Sequence, residues 1–467
     1  MKLLELCGYE PNEIKKELPR VKKALEAYGI SQEDIKVAEK RVEKFWDVEL
    51  KGVRKLLGCQ LRDWIDMILA PEEKKKIITC QIPSVGGMPV AAAVLERPHE
   101  VWGGFPKIAN LHNLGAVFGK LPELLEAAEN LCMTPGEIHC GCDMTEIGAY
   151  AMGRMGKRKP DLNITWACFC VEAPKVDGLI EDWFGVPTYY INRIQDDGFK
   201  ETEVPQRIMD YVCAQIKGCQ KVMSDTLGWE VTDEMMLKGM GAVMNCYMHW
   251  SEIAELLRAD PMPLHQADMS LCDYIMFTGV QDLAGVAEAL SILAEEVKER
   301  VKAGKGVLPK GAPRVMTATF TPISDPGIAH MIEEVGLAVG AVGFRLFDPD
   351  GSTKVQMSEK VNLLKWEETI ANLYIQNMLY KGVPGKADLI VKGCEYWNLD
   401  GILWLNETPC RPFASDALML KEFIQKKKDI PMLLMDSSIY DTRAYSAPQL
   451  RTRVESFAEL LRLRMAK

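Results

Sequence analysis

The chain reads as an α/β protein with two Rossmann-like parallel-sheet domains, a helical middle segment between them and a helical N-terminal extension. Three observations predict this. Short apolar runs rich in β-branched and aromatic residues fall in two groups, NITWACFC and GVPTYYIN in one, LDGILWLN and IPMLLMD in the other. Within each group they alternate with stretches of helical periodicity. Between the groups lies a long stretch with helical periodicity. The expected divisions are 1–75 for the extension, 76–199 for the first α/β domain, 200–311 for the helical segment and 312–467 for the second α/β domain.

The elements follow in chain order. NEIKKELPRVKKALEAYG and SQEDIKVAEKRVEKFWDVELKGVRKLLG carry apolar residues at three- and four-residue spacing, and Ser31 before Glu33 and Asp34 suits an N-terminal cap. IITCQI (77–82) reads as a strand, and the Gly pairs at 86–87 and 103–104 read as turns. FPKIANLHNLGAVFG reads as a helix ending near Gly115, and LPELLEAAENLCM (121–133) as another. NITWACFC (163–170) is a buried strand, EAPKVDGLIEDWF (172–184) a helix with Pro174 tolerated in its first turn, and GVPTYYIN (185–192) the next strand. Strand, helix, strand in so short a span is a βαβ crossover, which makes the two strands parallel. VPQRIMDYVCAQIKGCQKVMSDTLG and GVAEALSILAEEVKERVKAG are helical, with Gly228 and Gly304 as stops. The second group then runs RVMTATF (314–320, strand), DPGIAHMIEEVG (325–336, helix), AVGAVGFRLF, LDGILWLN (399–406, strand), ALMLKEFIQKKK (417–428, helix), IPMLLMD (430–436, strand) and the closing helix APQLRTRVESFAELLRLRM.

Composition narrows the function. Over 467 residues, 48% are hydrophobic and 26% charged, as in a soluble globular chain with a large core. The net charge of −10 and the lack of a basic stripe argue against nucleic-acid binding. No apolar run reaches the ~20 residues of a membrane helix. The opening MKLLELCGYEPNEIKKELPR turns charged too soon for a signal-peptide core, which points to the cytoplasm. There the 14 cysteines stay reduced. Most, including Cys213, Cys219, Cys246 and Cys272, read as core residues, as do the 25 methionines.

Three cysteines stand apart. Cys170 ends the strand NITWACFC, Cys410 follows LDGILWLN by the short loop ETPC, and Cys140 precedes a helix starting near Thr145. Ligands of open parallel sheets gather at the carboxyl ends of strands, whereas core residues sit in mid-strand. Cys142 and Cys168 each form a C-x-C pair with one of these, so they are alternates. A four-cysteine zinc site from the two pairs is a competing reading, although structural zinc sites use C-x2–4-C spacing. Other signals are weaker. VGAVGFRLF lacks the strand-then-helix setting of a dinucleotide fingerprint, there is no P-loop, and the six histidines contain no H-x3-H pair. His139 abuts Cys140, Glu407 and Arg411 flank Cys410, and DSSIYDTR (436–443) reads as a turn or a site-lining loop.

From about Phe105 to the C-terminus the chain resembles the large subunits of 2-hydroxyacyl-CoA dehydratases and ATP-dependent benzoyl-CoA reductases. Four stretches carry the resemblance. EIHCGCDMTEIGAYAMG places Gly148 eight residues after Cys140, like that family's first cysteine segment. CVEAPKVDGLIEDWFGVP offers Cys170, Lys175 and Pro187 for the second, and LDGILWLNETPCRPFASDALMLKEF offers Cys410 for the third. The ending IPMLLMDSSIYDTRAYSAPQLRTRVESFAELL fits a closing pattern through Asp436, Asp441, Arg443, Arg453 and Phe457. The first 75 to 100 residues have no counterpart in that pattern.

The resemblance implies a [4Fe–4S] cluster held by Cys140, Cys170 and Cys410, with one iron open to substrate or water. It also implies a homologous second subunit in a heterodimer, an acyl-CoA substrate and a separate ATP-dependent iron–sulfur activator that delivers one low-potential electron. In the dehydratases that electron makes a ketyl radical that expels the hydroxyl as water. In the reductases electrons enter an aromatic ring conjugated to the thioester. The dehydratase is the expected activity and the benzoyl-CoA-type ring reductase the alternative. A non-catalytic iron–sulfur electron carrier or scaffold partner is the reading from another class. Ordinary acid–base elimination is ill suited to a 2-hydroxyacyl thioester, because the proton to be removed is not acidic and general acid–base catalysis contributes only ~10²–10⁴-fold. The cofactor then does the hard chemistry and the protein positions and shields it.

Overall fold

A computed structural model describes residues 1–80, 87–133, 141–153, 159–167, 172–192, 206–318, 324–342, 365–375, 382–407, 410, 414–438 and 440–466. The extension is four helices: α1 (Lys2–Leu6), α2 (Pro11–Ala27), α3 (Gln32–Phe45) and α4 (Lys51–Leu69). Ser31 caps α3 as expected. Its hydroxyl accepts the Asp34 N–H at 3.2 Å, and the Asp34 carboxylate accepts the Ser31 N–H at 2.8 Å. These helices are part of the core. The Tyr28 hydroxyl and the Trp64 indole both donate to Asn110 Oδ1, at 2.6 and 2.9 Å, and all three residues are fully buried.

The first sheet is built from β1 (Lys76–Cys80), β2 (Val101–Gly104), β3 (Leu162–Ala167) and β4 (Thr188–Asn192). Between them run α5 (Gly87–Glu96), α6 (Pro106–Asn110), α7 (Leu121–Glu129), α8 (Gly141–Ala151) and α9 (Glu172–Phe184). The order is β2-β1-β3-β4 and every pairing is parallel, as the βαβ reading of β3, α9 and β4 requires. Two sequence expectations are corrected here. Gly103 and Gly104 are strand residues of β2, and no turn forms there. A Cβ on Gly103 would lie 2.1 Å from Val90 Cγ1 of α5, so glycine lets the helix close on the strand. Gly87 is the first residue of α5, and Gly86 lies outside the described residues. The helix expected to end near Gly115 instead continues from α6 as a π-helical segment, Leu111–Val117, a wide-turned form rare enough to mark a special site.

The middle is helical: α10 (Gln206–Leu227), α11 (Asp233–Leu256), α12 (Gln266–Thr278), a 3-10 turn (Gly279–Asp282) and α13 (Leu283–Lys302). Gly228 and Gly304 end α10 and α13 with φ of 77° and 62°, the left-handed conformation a helix stop uses.

The second sheet holds β5 (Arg314–Ala318), β6 (Ala338–Val342), β7 (Gly401–Glu407) and β8 (Met432–Ser437). Its helices are α14 (Pro326–Glu334), α15 (Trp366–Ile375), α16 (Val383–Tyr396), α17 (Ala417–Lys427) and α18 (Ala447–Met465). The order is β6-β5-β7-β8, again all parallel. Numbered within its own sheet, each half therefore reads 2-1-3-4. β2, β6 and the body of β7 are runs of buried apolar residues, the pattern of strands covered on both faces, while the edge strands β4 and β8 are largely half-buried. At the start of β7, an added Cβ on Gly401 would lie 2.9 Å from Phe457 of α18, so the glycine admits the closing helix against the strand.

Candidate functional site at the carboxyl edges of two equivalent sheets

In a 2-1-3-4 sheet the chain runs first to one side and then to the other, and the reversal falls between the first and third strands. Here that is between β1 and β3, and between β5 and β7. A crevice opens at such a point outside the carboxyl ends of the strands. Both third strands lead to cysteines singled out in the sequence. β3 ends at Ala167, three residues before Cys170, and β7 ends at Glu407, three residues before Cys410.

Cys410 is buried, with 8% of its surface exposed. Cys140, Cys168 and Cys170 lie outside the described residues, as do His139 and Arg411. Cys142 falls in the first turn of α8, its side chain outside the described set, and Glu407 is the last residue of β7. Among the described residues no three metal-ligating side chains converge. Cys219, Cys246 and Cys272 are core residues, and Cys213 is half-buried.

The other residues singled out in the sequence have structural explanations. Gly148 sits where α8 crosses α7, and a Cβ there would lie 1.9 Å from the Leu124 carbonyl oxygen, so only glycine fits. Pro187 contributes its carbonyl to the Asn163 N–H at 2.8 Å, which sets β4 against β3. Lys175 pairs with Glu172 one turn earlier on α9. Asp436 accepts from Asn406 across β7 and β8 at 3.0 Å, and Arg453 reaches the Leu434 carbonyl. Phe457 lies against Gly401.

Arg443 does more. Its guanidinium grips Asp441 with two bonds of 2.9 Å and also donates to Glu129 at the end of α7, at 2.7 Å. A loop at the carboxyl edge of the second sheet thus reaches the helix before the Cys140 segment of the first. The π-helical segment makes a second such contact, because a Cβ on Gly115 would lie 3.1 Å from the Ser324 Cα. His112 of that segment is buried, packs edge-on to Trp46 at 5.9 Å between ring centroids, and is held neutral by burial, which lowers it to about 3. Both contacts join a segment that follows β2 of the first sheet to a segment that follows a strand of the second.

Sequence reasoning missed a polar network behind the first sheet's edge. Lys107 of α6 is 5% exposed, and its ammonium lies 2.6 Å from Asp143 and 3.5 Å from Glu146, both on α8 and both fully buried. Beside it, Thr79 of β1 donates to Asn163 Oδ1 of β3 at 2.9 Å, and Asn163 Nδ2 donates to Asp177 of α9 at 3.0 Å. Burial holds the Asp177 carboxyl well above the usual range. The charges of Glu146 and Asp143 push the same way, opposed by Lys107 and the Thr165 hydroxyl. The one signal in the sequence was polar Asn163 and Thr165 at alternate positions of an otherwise apolar strand.

In the other half the buried Lys386 of α16 meets the half-buried Asp416, the residue before α17, at 2.6 Å.

The family described as 2-hydroxyglutaryl-CoA dehydratase, D-component, matches residues 100–461, which include the helical middle and every strand of the two sheets but β1. The chain belongs to this family. It is 23% identical over 227 residues to the alpha subunit of the lactoyl-CoA dehydratase of Anaerotignum propionicum, covering 47% of this chain and 50% of that one. It is 22% identical over 198 residues to one of the subunits of the benzoyl-CoA reductase of Thauera aromatica, covering 40% of this chain and 44% of that one. The chain thus matches about half the length of these curated relatives. Membership agrees with the resemblance read from the cysteine segments and the closing pattern, and its lower bound leaves the helical extension outside the family region. Among the described residues no helix is long and apolar enough to cross a membrane.

Proposed function

We propose that the chain is the iron–sulfur subunit of a radical 2-hydroxyacyl-CoA dehydratase, with Cys140, Cys170 and Cys410 as the ligands of one [4Fe–4S] cluster. The observation that carries this reading is the equivalence of the two halves. In each 2-1-3-4 sheet the third strand ends three residues before one of these cysteines, at a topological switch point. Of the C-x-C pair after β3, Cys170 is the member that matches the spacing of Cys410, which favours it over Cys168. Cys140 immediately precedes α8, the helix that leads into β3, and Cys142 is its alternate.

The donor chemistry fits. Thiolates are the usual ligands of such a cluster, and the described one, Cys410, is a buried thiol at a sheet edge. When bound, the cluster supplies one-electron chemistry at an iron that lacks a cysteine ligand. The protein's contribution is burial and orientation. Apolar strands behind the edge exclude water, and the Arg443–Glu129 contact joins the edge of one half to the other. The proposed partners are a homologous second subunit and an ATP-dependent iron–sulfur activator, and the proposed substrate is a 2-hydroxyacyl-CoA. That both relatives are named as subunits supports the assembly.

The similarity to a benzoyl-CoA reductase favours one other activity, ATP-dependent reduction of an aromatic acyl-CoA. The test of the shared premise is anaerobic purification with iron and acid-labile sulfide counts and EPR. The expected result is about four of each per chain and an absorbance band that a low-potential reductant bleaches. A colourless chain that cannot be reconstituted with iron and sulfide would reject it. Assay with 2-hydroxyacyl-CoA and with aromatic acyl-CoA, supplied with activator and second subunit, then separates the two activities.

A further inference from the structure

Ion pairs buried in a protein are costly to desolvate, so a buried lysine with a carboxylate partner calls for a reason other than stability. Among the described residues there are two, Lys107 and Lys386, each paired with a carboxylate. Lys107 lies on α6, and its partner Asp143 comes three residues after Cys140 in the first turn of α8. Lys386 lies on α16, and its partner Asp416 comes six residues after Cys410 at the head of α17. In each half the lysine reaches from another helix to the turn of chain that follows a cysteine. Beside the first pair, Asn163 of β3 donates to Asp177 of α9 at 3.0 Å.

We propose that Lys107 and Lys386 are positioning residues that hold the Cys140 and Cys410 segments at the spacing a shared ligand requires. A charged anchor suits this task better than an apolar contact. A lysine–carboxylate bond fixes one distance and one direction, whereas packed methylenes allow a helix to slide. Polar partners behind ligating residues fix ligand orientation in this way at metal sites generally. The inference rests on the proposed role of these cysteines, but the positions of the thiols can be read without a bound cluster.

The test uses the full chain as wild type, Lys107→Met and Lys386→Met. Circular dichroism first establishes that each variant is folded. A short homobifunctional thiol reagent is then applied to metal-free protein, and the linked peptides are mapped by mass spectrometry. The wild type should give Cys140–Cys170 and Cys140–Cys410 links. Lys107→Met should lower both several-fold, and Lys386→Met should lower only the link to Cys410. In cluster-loaded protein, each variant should lose iron to a chelator about ten-fold faster than wild type or more. Should either methionine variant fail to fold, Asp143→Asn and Asp416→Asn are nearly isosteric replacements that weaken the same pairs, with the same expected losses. Folded variants with wild-type link yields and iron-loss rates would overturn the proposal, as would a wild type that forms neither link. A wild type that forms both links but takes up no iron or sulfide would instead reject the cluster reading and leave the positioning role standing.

Discussion

Replacing Asp268 with asparagine should stabilise the protein at neutral pH and flatten its pH dependence. Asp268 lies on α12 and is fully buried. One carboxylate oxygen accepts the Asp47 N–H at 3.0 Å, and the other has no hydrogen-bond partner. Burial raises this carboxyl to about 7, with the charges of Asp47 and Glu333 adding to the effect and His265 opposing it. His265 lies 2.8 Å from Glu333 of α14. Burial works against its charge, but the bond to Glu333 and the charges of Glu333, Asp268 and Asp47 raise it overall. Arg300 of α13 closes the cluster at 2.5 Å from Asp47.

Both shifts act in one direction. A carboxyl whose pKa is raised on folding holds its proton more tightly in the native state, so stability falls as pH rises from its ordinary value to the raised one. A raised histidine contributes stability below its ordinary value and loses it as pH rises through the raised one. For Asp268 the move from 3.8 to about 7 is roughly three pKa units, or about 4 kcal/mol as an upper bound at pH 7. Asparagine keeps the acceptor for the Asp47 N–H but buries an amide N–H2 that must find a partner, which costs about 1–3 kcal/mol. The expected net gain at neutral pH is about 1–3 kcal/mol, a melting midpoint higher by several degrees. The assay is thermal melting of both proteins from about pH 4 to about pH 8, with hydrogen exchange of α12 as the local readout. Parallel pH profiles for wild type and variant would refute the reasoning.

Three further outcomes are expected. Cys410→Ser should keep its helical circular dichroism and lose iron and sulfide, since no neighbouring cysteine can replace Cys410, whereas Cys140→Ser should retain part of its iron if Cys142 takes over; full iron content in Cys410→Ser would reject that ligand assignment. Gly148→Ala should force α7 and α8 apart, because the new methyl would sit 1.9 Å from the Leu124 carbonyl, at a cost of about 3 kcal/mol or more in a melting experiment; an unchanged midpoint would show that the crossing is looser than described. Arg443→Gln should cost no more than about 1 kcal/mol, because about a third of the side chains of both Arg443 and Glu129 is open to solvent, and a loss well above that would make this contact a main fastening between the halves.

How much of this was legible depends on which physical signal each feature leaves in the chain. Helix α9 and the closing helix α18 were readable residue for residue, because periodicity, a proline in the first turn and polar flanks all agree. The stops at Gly228 and Gly304 were readable because a left-handed residue at a helix end selects glycine. β2 was misread because VWGG is short and its glycines answer to Val90 of a helix not yet recognised, so a tertiary contact looked like a turn signal. The π-helical segment differs from an α-helix by backbone register, to which composition is nearly blind.

The site divides along the same line. A cysteine after an apolar strand is conspicuous, since both strand and thiol have their own sequence marks, and this made Cys410 and Cys170 visible as candidates. Lys107, Asp143, Glu146 and Lys386 carry no such mark. A lysine in a short helix and an acidic pair in the first turn of another are what an exposed helix would show. Only the fold reveals that these charges face inward and meet at 2.6 Å. The cysteines can thus be proposed from sequence, while the residues that would set their spacing need three dimensions. For that reason the thiol-linking experiment on Lys107 and Lys386 is more demanding of the structure than a count of iron, which tests the family resemblance alone.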